Sequence, residues 1–385
     1  MKFEFATSTR IIFGQGMLHE IVPEAAGMGR RVCLVTGRVA ERAAPLAAAL
    51  DKKGLQIVTF RVPGEPTTRT VREGTDIARR ADCDLVIGMG GGSVVDTGKA
   101  IAALLTNSGD LLDYLEVIGR GKPLRKASAP FIAVPTTAGT GAEVTRNAVI
   151  GSPKYRVKVS MRSPLMLPRL AVVDPLLTLS APPSLTAFTG LDALTQLIEA
   201  FVSKRANPIT DGICREGTKP AGRSLRKVFR DGNDVTAREE MSLASLLGGL
   251  ALANAGLGAV HGFAGPLGGM FSAPHGAICG RLLPPVMAAN IDALKRREPH
   301  AVTLGRYDKV AQILTEQPTA RATDGVSWME DLCAELGTPP LRSFSIKQSH
   351  FSDIVAKARN ASSMHGNPVL LTDAELLHIL EKAYR

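Results

Sequence analysis

Residues that could do chemistry fall into a few short segments of this 385-residue chain. Asp192 and Gln196 stand four apart in Thr189-Gly-Leu-Asp-Ala-Leu-Thr-Gln-Leu-Ile-Glu199, so on a helix they share one face. His261 lies in Ala259-Val-His-Gly262 and His275 in Ala273-Pro-His-Gly276. Both fall in Ser242 to Gly280, a stretch with no Asp, Glu, Lys or Arg. One carboxylate and two imidazoles suit a divalent ion with positions left open for substrate. The other reading is a pair of hydrogen-bonded core histidines.

A second group is rich in glycine. Gly88-Met-Gly-Gly-Gly-Ser93 follows an apolar run and precedes a helical pattern. Glycines let backbone approach a phosphate, and the helix that follows offers free N–H groups and a positive dipole end. Ser93 is a candidate cap for that helix, with Asp96 and Lys99 in its next turn. Pro135-Thr-Thr-Ala-Gly-Thr-Gly-Ala-Glu143 likewise follows the apolar run Phe131 to Val134. Hydroxyls and glycines at the carboxyl end of a strand are what a nucleotide crevice uses. Each loop alone could be a structural turn; two at successive strand ends favour a nucleotide.

The elements that must hold these residues divide the chain near residue 180. Before it, strands over Arg31–Thr36, Leu55–Phe60, Asp84–Gly88, Pro130–Val134 and Leu170–Val173 alternate with helices over Val39–Lys53, Arg69–Ala81 and Ser93–Leu105. Such alternation predicts an α/β domain with a parallel sheet covered on both faces. Asn147–Ile150 and Arg156–Ser160 read as an added hairpin. After Pro182-Pro183 the pattern is helical: Ser184–Lys204, Ala237–Asn254, Pro284–Lys295, Tyr307–Thr315, Ser327–Leu336 and Asp373–Tyr384. A helix over Asp211–Arg226 should be kinked or split by Pro220. The expected domains are therefore 1–180, α/β and dinucleotide-binding, and 181–385, all-helical and carrying metal and substrate.

Composition narrows the class. Apolar residues make up 45% and charged residues 21%, which allows a large core. Aromatics are only 4%, too few for base-stacking platforms, so no nucleic-acid partner is expected. The net charge of +10 comes from scattered Lys and Arg, a solvated basic surface or an attraction for anionic cofactors. Five cysteines with long spacings and no CxxC pair argue for a reducing compartment and against a disulfide scaffold or a thiolate zinc site. No apolar leader follows Met1, and the uncharged stretch is too interrupted for a membrane span. A cytoplasmic protein without a membrane partner is expected.

The segments Gly90–Lys99, Pro135–Glu143, Gly190–Glu199, Val260-His261-Gly262 and Pro274-His275-Gly276 resemble, in order and spacing, the signatures of the iron-containing (group III) alcohol dehydrogenases. The resemblance spans nearly the whole chain. It implies a dinucleotide-binding α/β domain, a helical domain, and an active site in the cleft between them. It also implies interconversion of alcohols with aldehydes or ketones by NAD(H) or NADP(H). A maleylacetate reductase branch of the family reduces an acid instead. Carried over, Gly91, Gly92 and Ser93 would hold the pyrophosphate with Asp96 nearby. Thr136, Thr137 and Thr140 would line the crevice, and Lys158 would lie near a ribose. Gly37 falls where NAD-preferring members often carry Asp, which with Arg38 adjacent points to NADP(H).

Asp192, His261 and His275 match three of the family's four metal ligands, and Gln196 stands where the fourth is usually His. An amide oxygen ligates borderline metals less well than imidazole, so iron or zinc would be loosely held, or absent. Gly265 stands where members often have a further active-site His, which leaves the proton donor unassigned. The expected partner is a small carbonyl or alcohol substrate, and the expected assembly a homodimer. The alternatives are a maleylacetate reductase-like enzyme, a lyase resembling 3-dehydroquinate synthases, and a nucleotide-binding protein that has lost catalysis.

Overall fold

The apolar runs of the first half form a six-stranded, wholly parallel sheet in the computed structural model, which describes residues 2–385. The strands are β1 (Arg10–Phe13), β2 (Arg31–Thr36), β3 (Gln56–Arg61), β4 (Leu85–Gly90), β5 (Phe131–Pro135) and β8 (Leu170–Val173), in the order β1-β8-β5-β4-β2-β3. The helices between them are α1 (Ile21–Met28), α2 (Ala44–Lys52), α3 (Thr68–Arg80), α4 (Gly92–Thr106) and the single turn α5 (Leu111–Tyr114). Alternate strand residues face opposite cores. Val32, Leu34, Leu85 and Ile87 pack with Ile21, Leu46 and Leu50 on one side. Cys33, Val35, Val86 and Phe131 pack with Val94, Ile101 and Ala78 on the other. This double burial is why β4 is apolar throughout and buried at every position.

The chain order reverses between β2 and β4. From β2 it runs outward to β3, then returns past β2 to β4 and continues through β5 to β8. Ligands of open parallel sheets bind outside the carboxyl ends of strands at such a switch point. Here those ends are in register, with Thr36 beside Met89 and Gly90 beside Pro135. The antiparallel hairpin β6 (Asn147–Ser152) and β7 (Val157–Arg162) is present as expected. Sequence reading missed β1, whose four residues at the sheet edge are too short for a periodic signal.

Contact density separates this unit, residues 6–137 and 141–179, from a second made of 138–140, 180–385 and the extreme N-terminal residues. The second is helical. Its helices are α6 (Pro183–Val202), α7 (Pro208–Arg230), α8 (Val235–Ala255), α9 (Ala259–Met270), α10 (His275–Arg297), α11 (Val302–Thr315), α12 (Ala322–Glu335), α13 (Phe351–Arg359) and α14 (Asp373–Tyr384). The central helix α6 packs against α7, α8 and α10. It is long and apolar enough to cross a membrane, but 83% of that window is buried within the protein, as a core helix should be.

Two helical expectations need correction. Helix α7 is not split at Pro220 but continues through it. The proline frees the carbonyl of Glu216, which sits on an exposed face where water can satisfy it. Helix α10 begins at His275, not at Pro284, and carries Pro284 and Pro285 inside it. The uncharged stretch is consequently three pieces: the end of α8, all of α9 after a 99° bend, and the start of α10.

Candidate metal centre and nucleotide edge

Asp192 and Gln196 lie on consecutive turns of α6 and are 2% exposed each. His261 is in the first turn of α9, and His275 is the first residue of α10, after Pro274. Gly276 allows that start to press on α6, since a Cβ there would lie 1.9 Å from the Phe188 carbonyl oxygen. The result is a cluster of donor atoms. His261 Nε2 is 3.2 Å from Asp192 Oδ1, and His275 Nε2 is 3.7 Å from the same oxygen. The rings lie 5.4 Å apart between centroids. The structure thus brings together the carboxylate and both imidazoles singled out in the sequence.

Glu199 completes the arrangement from one turn further along α6. Its Oε2 accepts from His261 Nδ1 at 2.6 Å, and its Oε1 accepts from the Val260 amide at 2.7 Å. A carboxylate on the far nitrogen of a ligating histidine fixes the tautomer and strengthens the ligand. Sequence reading quoted Glu199 but gave it no role. The signal was its spacing, seven residues after Asp192 and three after Gln196, which continues their helix face.

Cys279 was also missed: the lack of a CxxC pair argued against a thiolate zinc site, yet its sulfur lies among these donors. It lies one turn after His275, so the two share a face of α10 once the helix starts at His275. Its Sγ is 3.6 Å from His275 Nε2 and 3.8 Å from His261 Nε2. Asp192, His261, His275 and Cys279 each offer a ligand atom within 4.8 Å of all the others. Gln196 behaves differently. Its amide nitrogen donates to the Thr140 carbonyl at 3.4 Å, while its Oε1 is buried with no hydrogen-bond partner.

The electrostatics fit a cation. Burial alone would raise the Asp192 carboxyl, but His275, His261 and Gln196 outweigh it and hold it below the usual range. Burial would lower His261, yet Cys279, Asp192 and Glu199 hold it well above the usual imidazole range. His275 is raised by Cys279 and Asp192 against the same burial. Burial would raise the Cys279 thiol, but the two imidazoles pull it down. A carboxylate stands at each nitrogen of the His261 ring. A divalent ion can take the place of the Nε2 proton.

The nucleotide-binding candidates sit at the other chemically suggestive place, the strand ends beside the switch point. Gly37 follows β2, and a Cβ on it would touch only Val94 Cγ2, at 3.8 Å. Gly91, not Ser93, is the N-cap of α4, and no side chain caps it. The amides of Val94 and Val95 already bond the Gly91 carbonyl, at 2.9 and 3.1 Å. Gly92 and Ser93 precede them in the first turn, where helix N–H groups lack partners within the helix. Thr136 and Thr137 follow β5 beside this turn, the Thr136 amide donating to the Gly90 carbonyl at 2.9 Å. Thr140 groups with the helical unit, its carbonyl beside Gln196.

Asp96, Lys99 and Lys158 have structural partners. Asp96 pairs with Lys99 at 3.0 Å and accepts from the Val149 amide at 3.0 Å. The fully buried Lys99 ammonium donates to Thr145 Oγ1 and to the carbonyls of Ala142 and Asn147. The pair therefore clamps the hairpin to α4. Lys158 Nζ on β7 meets Glu65 Oε2 at 3.1 Å.

Known proteins resemble this chain over nearly its whole length. A family described as iron-containing alcohol dehydrogenase matches residues 8–175. The C-terminal part of the Fe-containing alcohol dehydrogenase family matches residues 186–384. A 1,3-propanediol dehydrogenase of Citrobacter freundii is 36% identical over 347 residues, covering 87% of this chain and 85% of the relative. A crystal structure of 1,3-propanediol oxidoreductase superposes with a TM-score of 0.91 at 32% identity, covering 100% of both chains. The sulfoacetaldehyde reductase of Bifidobacterium kashiwanohense in complex with NAD+ superposes with a TM-score of 0.88 at 29% identity, covering 100% of this chain and 99% of that one.

Proposed function

This chain belongs to the iron-containing alcohol dehydrogenase family and is an oxidoreductase that interconverts alcohols and aldehydes with a nicotinamide cofactor and a metal; from that premise we propose which of its residues do the work. Asp192, His261 and His275 hold the divalent ion. The observation that carries this is the convergence of their donor atoms on one point, with Glu199 behind His261. When bound, the ion supplies Lewis acidity toward the substrate oxygen, and the nicotinamide supplies or accepts the hydride.

The chain's own contribution is positioning. Glu199 keeps a proton on His261 Nδ1, so that Nε2 is free to ligate. Gln196 flanks Asp192 from the adjoining turn of α6 and is itself held by the Thr140 carbonyl. His275, with 33% of its side chain exposed, is the most accessible of the cluster. Substrate oxygen therefore approaches on the His275 side.

The nucleotide is bound by the α/β domain, about residues 1–180, and the metal and substrate by residues 181–385. The amides of Gly92 and Ser93, with Gly91 clearing space, hold the pyrophosphate at the positive end of α4. Thr136 and Thr137 line the same edge and Thr140 lies further along that segment. Asp96 acts indirectly, fixing to α4 the hairpin that carries Lys158. The absence of a carboxylate at Gly37 lets the site accept NADPH as well as NADH. The enzyme works as a homodimer in a reducing cytoplasm, in keeping with five free cysteines. Elemental analysis of the purified protein, together with nicotinamide absorbance on a panel of alcohols and aldehydes, tests this reading. No turnover on any of them with metal and either cofactor present would contradict it.

A further inference from the structure

We propose that Cys279 is the fourth protein ligand of this metal centre, that Gln196 is not a ligand but flanks Asp192, and that the site is consequently built for zinc. The proposal rests on the reading above that Asp192, His261 and His275 hold a divalent ion.

Three observations carry it. The first is geometric. Zinc bonds of about 2.0–2.1 Å to nitrogen or oxygen and about 2.3 Å to sulfur give a tetrahedron with edges of roughly 3.3 Å between N and O and roughly 3.6 Å between N and S. Asp192 Oδ1 lies 3.2 and 3.7 Å from the two imidazole nitrogens, and Cys279 Sγ lies 3.6 and 3.8 Å from the same nitrogens. Four of the six edges thus come close to those of a zinc tetrahedron, and all four donors lie within 4.8 Å of one another.

The second observation is the orientation of Gln196. Its nitrogen, which has no lone pair to give, donates to the Thr140 carbonyl at 3.4 Å. Its oxygen is turned to α8, where a Cβ on Gly248 would lie 3.1 Å from it, and it has no partner there. An oxygen left unsatisfied in a buried place costs about 1–3 kcal/mol. Turning the amide to offer that oxygen to an ion would break the bond to the Thr140 carbonyl. It would also leave the NH2 group against the same surface.

The third is chemical. Cys279 is fully buried, and the sulfur contacts recorded for it are to the two histidines. A thiolate puts an anionic donor directly on a buried cation, where a neutral amide brings no charge. Thiolate softness favours zinc over harder cations.

Cobalt(II) added to chelator-stripped protein reports the ligand directly, because a cobalt–thiolate bond gives an intense near-ultraviolet charge-transfer band. We expect that band in the wild type with one equivalent of cobalt, its loss in Cys279→Ser, and its retention in Cys333→Ser and Gln196→Ala. Zinc affinity should fall in Gln196→Ala by the roughly 10- to 100-fold of an outer-shell partner, and by more than that in Cys279→Ser. Cobalt bound by the wild type without the band, or a band that survives in Cys279→Ser, overturns the cysteine ligand and leaves the three-residue site standing. Failure of the folded wild type to bind cobalt or zinc at all overturns both. The wild-type spectrum decides the matter even if a variant misfolds.

Discussion

Glu199→Gln separates a tuned metal centre from a merely crowded one. In the wild type, separate oxygens of Glu199 accept from Val260 N and from His261 Nδ1, at 2.7 and 2.6 Å. Glutamine has the same shape but only one oxygen. If that oxygen keeps the buried Val260 amide, an NH2 group faces His261 and drives its proton to Nε2, the nitrogen 3.2 Å from Asp192 Oδ1. A protonated Nε2 cannot ligate. Outer-shell partners of this kind contribute roughly 10- to 100-fold in metal affinity, or about 1.4–2.7 kcal/mol. An opposing effect has to be removed by the choice of pH. The wild-type ring is held well above the usual imidazole range, so below that raised value a proton competes with the ion. Losing the carboxylate weakens that competition, which partly masks the defect near neutral pH and not at alkaline pH. Zinc titration against a chromophoric chelator, near pH 7 and at about pH 9, should show the variant binding more weakly, with the larger deficit at the higher pH. Equal affinities at the higher pH, in a variant with wild-type circular dichroism, would refute the tautomer argument.

Three other expectations are independent of the metal. Gly91→Asp should fold, because its φ is −72° and a Cβ would meet only the Thr137 side chain, at 3.4 Å. It should weaken NAD(P)H binding by roughly 100-fold or more through repulsion of the pyrophosphate, read by fluorescence titration; unchanged affinity would mean the turn is structural only. Wild-type protein should use NADPH at least as well as NADH, and Gly37→Asp should shift kcat/KM toward NADH by about tenfold or more, since a carboxylate close to a 2′-phosphate costs about 1–4 kcal/mol; a wild type that already prefers NADH by that margin would overturn the role given to Gly37. Glu143 is buried at 2% exposure, and burial pushes its carboxyl up to about 7 from an ordinary 4.5. A raised carboxyl favours the folded state below the unfolded value, and that advantage is lost as pH rises toward 7. Glu143→Gln should therefore be more stable than wild type at about pH 8, by up to about 3 kcal/mol, with the gain shrinking toward pH 4.5. Denaturant midpoints measured across that range check it, and a gain that grows on acidification would contradict it.

The α/β unit was largely legible because strands buried on both faces must be apolar at nearly every position, as Leu85 to Met89 are. Strand β1 was not, since Arg10 to Phe13 is too short and too exposed to carry a pattern. In the helical unit, glycines beside His261 and His275 and the shared face of Asp192 and Gln196 marked three of the four clustered donors. Cys279 stayed hidden for a definite reason. Reading Pro284 as a helix start left His275 in a loop, and only a helix beginning at His275 puts Cys279 one turn away on its face. Ser93 misled in the same manner. A serine near a helix start is a frequent cap, but here the glycine two residues earlier takes that position. What the chain pattern could not reveal was tertiary: which end of the Gln196 amide faces Thr140, and which carboxylate stands behind His261.

The most direct test of the account is metal dependence of hydride transfer. Wild type and His261→Ala are stripped with chelator, confirmed metal-free by elemental analysis, and assayed for nicotinamide oxidation with an aldehyde, before and after zinc or iron(II) is added. The account predicts no turnover by stripped wild type, recovery on adding metal, and no recovery in folded His261→Ala. Full turnover by rigorously metal-free wild type would contradict it.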